Sequence, residues 1–408
     1  MKKFLVLLLA LTFVFSFAAF AVADDGGQDS VRSMKAGSKV TIGGDARIRG
    51  TWQKNYNMTD TPEAADRDVR SWDQRVRLKI DAAIGNGIEL RTRLETGNDE
   101  WHGTSNTRGG SINVDYAYLH IPVGTVVVDA GLMKRNWGNK LLMWDVARDT
   151  FQVTTNVGDT QIGVYTDKVD ENSATGADNL DDTDNYGIFV NHTAGDLAAG
   201  LHIIREDDNV GTDTSGTEAS VYLNTSVGAI GIAAEAAYKM GEMNEDSSGN
   251  KPFAAFIYAS TDVGAISIGA FAAVAKDSFA ADSHLTPSVF FGTDNPTAIA
   301  NVQAAANSTT KAFAISAATD VTSDLTVNAT LFYADLENLS STFRTAYAGS
   351  AAPAKTGEES VTEIDLGLSY KLADNATYTV ALGYLMPDNI TALDDEAIAI
   401  ANKIQVSF

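Results

Sequence analysis

The stretch AIAIANKIQVSF, residues 397–408, alternates between two kinds of side chain up to its last residue. The even positions include four aliphatic residues and a final aromatic: Ile398, Ile400, Ile404, Val406 and Phe408. The odd positions, from Ala397 to Ser407, carry small or polar residues. Because successive side chains of an extended chain point to opposite faces, this pattern predicts an amphipathic β-strand.

The same period of two appears near the start of the chain. Apolar and polar residues alternate from Val40 to Gln53, from Trp72 to Ile84 and from Ile88 to Glu95, with a Gly85-Asn86-Gly87 turn before the third segment. A tilted strand needs about ten residues to cross the hydrocarbon layer of a membrane. These segments therefore predict strands with one apolar face and one charged face.

Repetition of this pattern predicts eighteen strands between Ser38 and Phe408, with sixteen as the lower count. The links between them alternate between short turns, such as Pro122-Val123-Gly124, and long polar segments, such as Lys276 to Thr310. A secreted β-sandwich or solenoid would seldom keep that alternation. We therefore expect an all-β fold: a transmembrane antiparallel up-and-down β-barrel over residues 38–408, with short periplasmic turns and long extracellular loops.

Composition and the N-terminus narrow the class of protein. The chain has 408 residues, a net charge of -23 and no cysteine, which argues against nucleic-acid partners, thiolate metal sites and iron–sulfur cofactors. Residues 1–23 combine a basic start, an apolar run and the sequence Ala21-Val22-Ala23, the pattern of a cleaved signal peptide. Residues 24–37 are then a short periplasmic segment. No later apolar run approaches the ~20 residues of a spanning helix.

The polar faces of the first three strands are unusually charged. In a barrel this face lines the interior, because charge is excluded from lipid. The predicted basic ladder consists of Arg47, Arg49, Arg75, Arg77, Lys79, Arg91 and Arg93. The acidic residues interleaved with it are Asp45, Asp73, Asp81, Glu89 and Glu95. The ladder is either an electrostatic screen for anionic or zwitterionic solutes or a self-neutralising network that stiffens the wall.

Taken together, the signal peptide, the alternating links and the final strand ending in Phe408 resemble Gram-negative outer-membrane porins. The resemblance implies passive diffusion of small hydrophilic solutes, anions among them, through a water-filled channel in the outer membrane. It also implies contact with outer-membrane lipid and lipopolysaccharide, recognition of Phe408 by the barrel-assembly machinery, and a homotrimer. Two other functions fit the same pattern: a dedicated transport or export barrel for phosphate or polysaccharide, and a structural or adhesive barrel with a blocked lumen.

The third long segment, KRNWGNKLLMWDVARDT at residues 134–150, is more apolar than most of the other loops and includes Trp137 and Trp144. By resemblance to general porins it folds into the barrel as a constriction, where Asp145 and Asp149 would face the basic ladder. A contact at the membrane interface or with a neighbouring subunit is the alternative. The five histidines show no triad spacing, and the acidic loops do not match a calcium-binding loop, so neither an enzyme nor a metal site is predicted.

Overall fold

A computed structural model of the protein describes residues 39–54, 69–97, 99–100, 112–171, 182–208, 214–241, 251–277, 279, 309–337, 359–389 and 396–408. The predicted signal peptide, residues 1–23, and the segment 24–37 lie outside the described residues. So does most of the long loop from Lys276 to Thr310. Lys39–Phe408 forms one compact unit. Within the described ranges, no helix has the length and apolar character needed to cross a membrane.

The described chain is built from antiparallel strands. In order they are β1 Lys39–Lys54, β2 Val69–Gly85, β3 Ile88–Thr96, β4 Asp99–Glu100, β5 Ile112–Val123, β6 Val126–Arg135, β7 Val146–Val157, β8 Thr160–Glu171, β9 Asp182–Ala194, β10 Leu197–Asp208, β11 Thr214–Val227, β12 Ile230–Met240, β13 Phe253–Val263, β14 Ile266–Lys276, β15 Thr309–Asp320, β16 Leu325–Glu337, β17 Glu359–Ala373, β18 Ala376–Asp388 and β19 Ala397–Ser407.

Apart from the two-residue β4, each strand pairs with its neighbours in sequence, and β19 pairs with β1 to close the sheet. The two-residue β4 follows β3 along β2 and adds no separate position to the wall, so the barrel has eighteen strands. Among the eighteen wall strands that the structure describes, closure leaves no open edge, as a lipid environment requires. The predicted fold and the upper strand count are confirmed.

The register shows which residues share a face. Ile42, Ile315 and Leu366 are 65%, 63% and 52% exposed and belong to a continuous apolar outer face. Arg47 stands directly between Gln405 of β19 and Arg75 of β2 on the opposite face, which is the interior of the barrel. Hydrophobic side chains that meet lipid on the outside thus account for the alternation in the sequence.

The inner wall differs between the two halves of the barrel. Charged residues dominate β1–β3, whereas the inner positions of β13–β18 include buried alanine and large apolar residues such as Phe271, Ala314, Phe332 and Leu385. The expectation that a polar face lines the interior therefore describes β1–β3, whereas this arc is mixed, because Glu359, Glu363 and Asp365 of β17 are also buried on its inner face.

The seam between the two ends of the sheet includes the last residue. Gly44 N–H donates to the Phe408 carbonyl at 2.8 Å, and Phe408 N–H donates to the Gly44 carbonyl at 3.0 Å. The Phe408 ring lies against Gly44, where a side chain would collide with it. The terminal residue thus contributes two backbone hydrogen bonds and one aromatic contact to closure.

Deleting Phe408 should therefore reduce barrel formation more than replacing it with alanine. The deletion removes the backbone hydrogen bonds and the ring, while Phe408→Ala removes the ring alone. The folded fraction in detergent, measured by the difference in gel mobility between heated and unheated samples, should rank wild type above Phe408→Ala and Phe408→Ala above the deletion. Equal folding of all three proteins would show that the seam does not need its last residue.

Candidate pore lining and constriction

All twelve residues of the predicted ladder and its acidic partners lie on the inner face of β1, β2 and β3. Asp45 stands opposite Arg77 and accepts a hydrogen bond from its Nε at 2.7 Å, with the Arg75 guanidinium 3.8 Å away. Asp73 repeats the arrangement with Arg49 at 2.8 Å and Arg47 at 3.8 Å. Each carboxylate therefore serves two arginines.

Within the ladder itself, like charges face each other in two places. Arg47 is the cross-strand partner of Arg75, and Lys79 is the partner of Arg93. Directly opposed like charges destabilise a sheet, so the bridging carboxylates offset a cost that the wall itself creates. Such pairs are not what a purely structural network of alternating charges would contain.

Lys79, Asp81, Glu89 and Arg91 lie nearer the turn that joins β2 to β3, whereas Glu95 lies at the far end of β3. Lys79 Nζ is 3.0 Å from Asp81, and Arg91 is 2.8 Å from Glu89, while Glu95 stands opposite Arg77. The side chains of Lys79 and Arg91 are 51% and 33% exposed, against 7% for Arg47. Solvent-accessible positive charge therefore concentrates at the turn end of the ladder.

A smaller network joins the ladder to the base of the third long segment. Arg93 donates to Asp115, and Lys134 Nζ lies 3.0 Å from Asp115 and 2.8 Å from Asp145. Asp145 is also 3.8 Å from Arg93. Asp145 thus reaches the ladder, but it lies beside the basic wall rather than across an opening from it.

Asp149 does not face the ladder. The segment predicted as a loop to residue 150 ends earlier, because β7 begins at Val146, and Asp149 shares its face with Phe151 and Val153. It is exposed on the outside of the barrel, opposite Lys168 of β8. The prediction of an inward role for Asp149 is wrong, because strand alternation turns its side chain outward.

The rest of that segment lies inside the barrel. Trp137 is 5% exposed, and its ring centroid lies 4.7 Å from His202, 5.3 Å from Tyr222 and 6.0 Å from Phe189, all on the inner face of β9–β11. The apolar residues Leu141, Leu142 and Met143 are buried in the same cluster. Trp144 is only partly buried, with the Lys140 ammonium 5.9 Å from its ring. We call residues 136–145 the inner segment.

A carboxylate of the facing wall meets the turn of the inner segment. Glu235 of β12 accepts hydrogen bonds from the backbone N–H of Asn139 at 2.6 Å and of Leu141 at 3.3 Å. Ser220 of β11 donates to its other oxygen at 2.6 Å, and Asn139 Nδ2 donates to the Ala234 carbonyl at 2.9 Å. Polar contacts as well as rings therefore hold the segment against the wall.

Sequence reasoning missed a second buried polar group beneath Trp137. Arg135 lies 2.8 Å from Asp167 and over the ring of Tyr165 at 3.4 Å, and Tyr165 shares a 2.7 Å hydrogen bond with His202. Their odd or even positions in β8 and β10 could have assigned Tyr165, Asp167 and His202 to the inner face, whereas the sequence placed Arg135 in the loop at residues 134–150. The contacts among them depend on the register between strands, which single-strand patterns do not give.

A closed barrel with an apolar outer face, a charged inner wall and a segment folded inside defines a membrane channel of the porin type. A family profile described as Gram-negative porin matches residues 8–389, and the chain belongs to that family. The family and fold are those of outer-membrane channels that are not enzymes.

Solved structures with TM-scores above 0.5 share the fold at low identity. A BenF-like porin from Pseudomonas fluorescens is 10% identical with a TM-score of 0.57, covering 92% of this chain and 100% of that one. The outer membrane protein OpdK of Pseudomonas aeruginosa is 10% identical with a TM-score of 0.57, covering 90% and 98%. An anion-selective porin from Comamonas acidovorans is 13% identical with a TM-score of 0.48, covering 91% and 100%. No curated protein sequence matches the chain.

Proposed function

We propose that this outer-membrane porin passes small hydrophilic solutes by passive diffusion and favours anions over cations. The observation that carries the proposal is the formal excess of two positive charges among the seven cations and five carboxylates of the ladder. This wall is locally positive although the chain carries a net charge of -23. Fixed charge along a narrow aqueous path raises the local concentration of ions of opposite sign.

The proposal restricts passage to small solutes, and the inner segment supports this restriction on solute size. It leaves the wall after β6 and contacts β9 to β12, so it occupies space inside the barrel beside the charged arc. Its base carries Asp145, which approaches Arg93, and its turn is held at Glu235. Solutes would therefore pass between the inner segment and the ladder.

Neutralising the accessible end of the ladder tests the selectivity. In Lys79→Gln with Arg91→Gln the formal excess of positive charge within the ladder falls to zero. The anion-to-cation permeability ratio should fall by roughly two- to five-fold, because a unit charge at ~4 Å contributes ~1 kcal/mol in water, less when salt screens it. The measurement is the reversal potential of single channels in a planar bilayer under a salt gradient.

The matched control is Lys168→Gln with Arg205→Gln, which makes the same change in charge on the outer face, next to the long loops. Its reversal potential should equal that of the wild type. A wild-type protein without conductance would refute the open channel. Equal reversal potentials for the ladder variant and the wild type would refute the role of the ladder while leaving the channel in place.

A row of charged residues on the outer face indicates where the hydrocarbon layer of the membrane ends. Asp149, Lys168, Asp184 and Asp207 form one cross-strand row on the outer face, with Tyr186 as the next outward residue below Asp184. Aromatic side chains favour the membrane interface, and charges favour the head-group region beyond it. We propose that this row contacts lipid head groups, including lipopolysaccharide.

A further inference from the structure

The turn of the inner segment has the backbone form of an anion-binding site. Gly138 and Lys140 have φ values of +52° and +73°, so left-handed residues stand on both sides of Asn139. Alternation of backbone handedness turns successive N–H groups toward one point, where they bind an anion. The N–H groups of Asn139 and Leu141 both point at the same oxygen, Oε2 of Glu235.

The carboxylate is built into its place. Glu235 is 2% exposed, and its second oxygen accepts from Ser220, which is also 2% exposed. Gly138 has no space for a side chain, because a Cβ there would lie 2.9 Å from Glu235 Oε2 and 2.9 Å from Tyr222. A charged group removed from water requires such compensation, so Glu235 and the turn depend on each other.

This contact joins parts of the chain that are far apart in sequence. The inner segment begins after β6, whereas Glu235 lies on β12, and the partners are separated by 96 residues. The inner side chains on both sides of Glu235 are small, because Ala233 and Ala237 occupy the neighbouring inner positions of β12. No other inner residue of β12 next to Glu235 could donate or accept a side-chain hydrogen bond in its place.

We propose that Glu235 is a positioning residue that sets the bore of the channel by holding the turn of the inner segment as a bound carboxylate. The proposal rests on the proposed function, since it assumes that the inner segment limits the aqueous path. Loss of the carboxylate leaves two N–H groups unpaired and a space of carboxylate size between the turn and Ser220. The segment should then leave the wall for part of the time and change the conductance.

The test is single-channel recording of Glu235→Ala in chloride and in acetate solutions. In chloride, the occupancy of a conductance level absent from the wild type should rise about ten-fold or more, because hydrogen bonds to a charged group are lost. Acetate can place a carboxylate in the vacated space, so it should reduce that occupancy in Glu235→Ala. The wild type, recorded in the same two solutions, corrects for the different permeation of the two anions.

Two further variants separate positioning from general damage. Glu235→Gln keeps the shape and one acceptor oxygen, so it should show a smaller increase that acetate does not reverse, and it provides the test if the alanine variant does not fold. Glu218→Gln is the matched control, since Glu218 lies on the neighbouring strand and pairs with Lys239 at 2.5 Å. It should behave as the wild type in both solutions.

The outcomes distinguish this proposal from the function on which it rests. A wild type that does not conduct overturns the proposed function itself. A conducting wild type whose single-channel record is unchanged by Glu235→Ala, or by Glu235→Gln where only that variant folds, overturns the role of Glu235 and leaves the channel intact. An altered record in Glu235→Ala that acetate does not change overturns the claim that the turn binds a carboxylate.

Discussion

Replacing Gly44 by alanine is expected to prevent closure of the barrel. A Cβ at this position would collide with the carbonyl oxygen of Arg77 and would lie 2.8 Å from the Phe408 ring. The Arg77 carbonyl is part of the backbone pairing between β1 and β2 and cannot move without loss of that pairing. The ring belongs to Phe408, the last residue of the seam. One methyl group therefore disturbs both edges that β1 joins.

The expected cost is about 1–3 kcal/mol or more, the range for overpacking a fitted site. Because the seam must form for every strand to be paired, we expect a large loss of folded protein rather than a slightly distorted channel. Refolding yield in detergent, followed by gel mobility, measures it. The matched control is Gly231→Ala, where the added Cβ would meet Ser260 Oγ at an ordinary 3.5 Å. Equal yields for the two variants would contradict the prediction.

Much of the fold could be predicted because the alternation of apolar and polar residues within a barrel strand shows which side chains face lipid and which face the interior. Ile398 and Arg47 lie on the faces that the period of two assigns them, since lipid outside and water inside select opposite side chains. Short turns such as Gly85 to Gly87 then give the topology. In the arc around Phe332 the alternation assigns the two faces less clearly, because the inner face there mixes apolar residues with buried acidic ones such as Glu363.

The site was less predictable for a physical reason. The boundary of a strand depends on pairing with its neighbours, and pairing of Val146 with Arg135 extends β7 and turns Asp149 outward. Asp145 was expected across an opening, yet its partners Arg93 and Lys134 are on the near wall. Local sequence gives the parity of a residue within its strand but not its distance from another strand.

The role of Glu235 was also not predictable from local sequence. In the sequence it is one acidic residue among alanines in β12, and nothing local separates it from a solvated carboxylate. Its role arises from contacts with Ser220 and with a turn 96 residues away. Parity could have placed Glu235 on the inner face, but only the register and the path of the inner segment bring the three groups together.

Replacing Trp137 by alanine is expected to enlarge the channel. The ring is 5% exposed and packs between His202, Tyr222 and Phe189. Truncation of a buried tryptophan costs about 3–5 kcal/mol, which exceeds the contribution of the few hydrogen bonds at the turn of the inner segment. The segment should therefore spend most of its time away from β9–β12, and both the conductance and the size limit for neutral sugars in liposome swelling should increase.

Trp144→Ala is the matched control within the same segment. Trp144 is only partly buried, whereas Trp137 is 5% exposed, so truncation of Trp144 removes less buried surface. Its conductance should stay close to that of the wild type. Because both variants lose one indole, a larger channel in Trp137→Ala alone identifies docking on the wall as the cause. Equal sugar permeation by both variants and the wild type would mean that the inner segment does not limit the aqueous path.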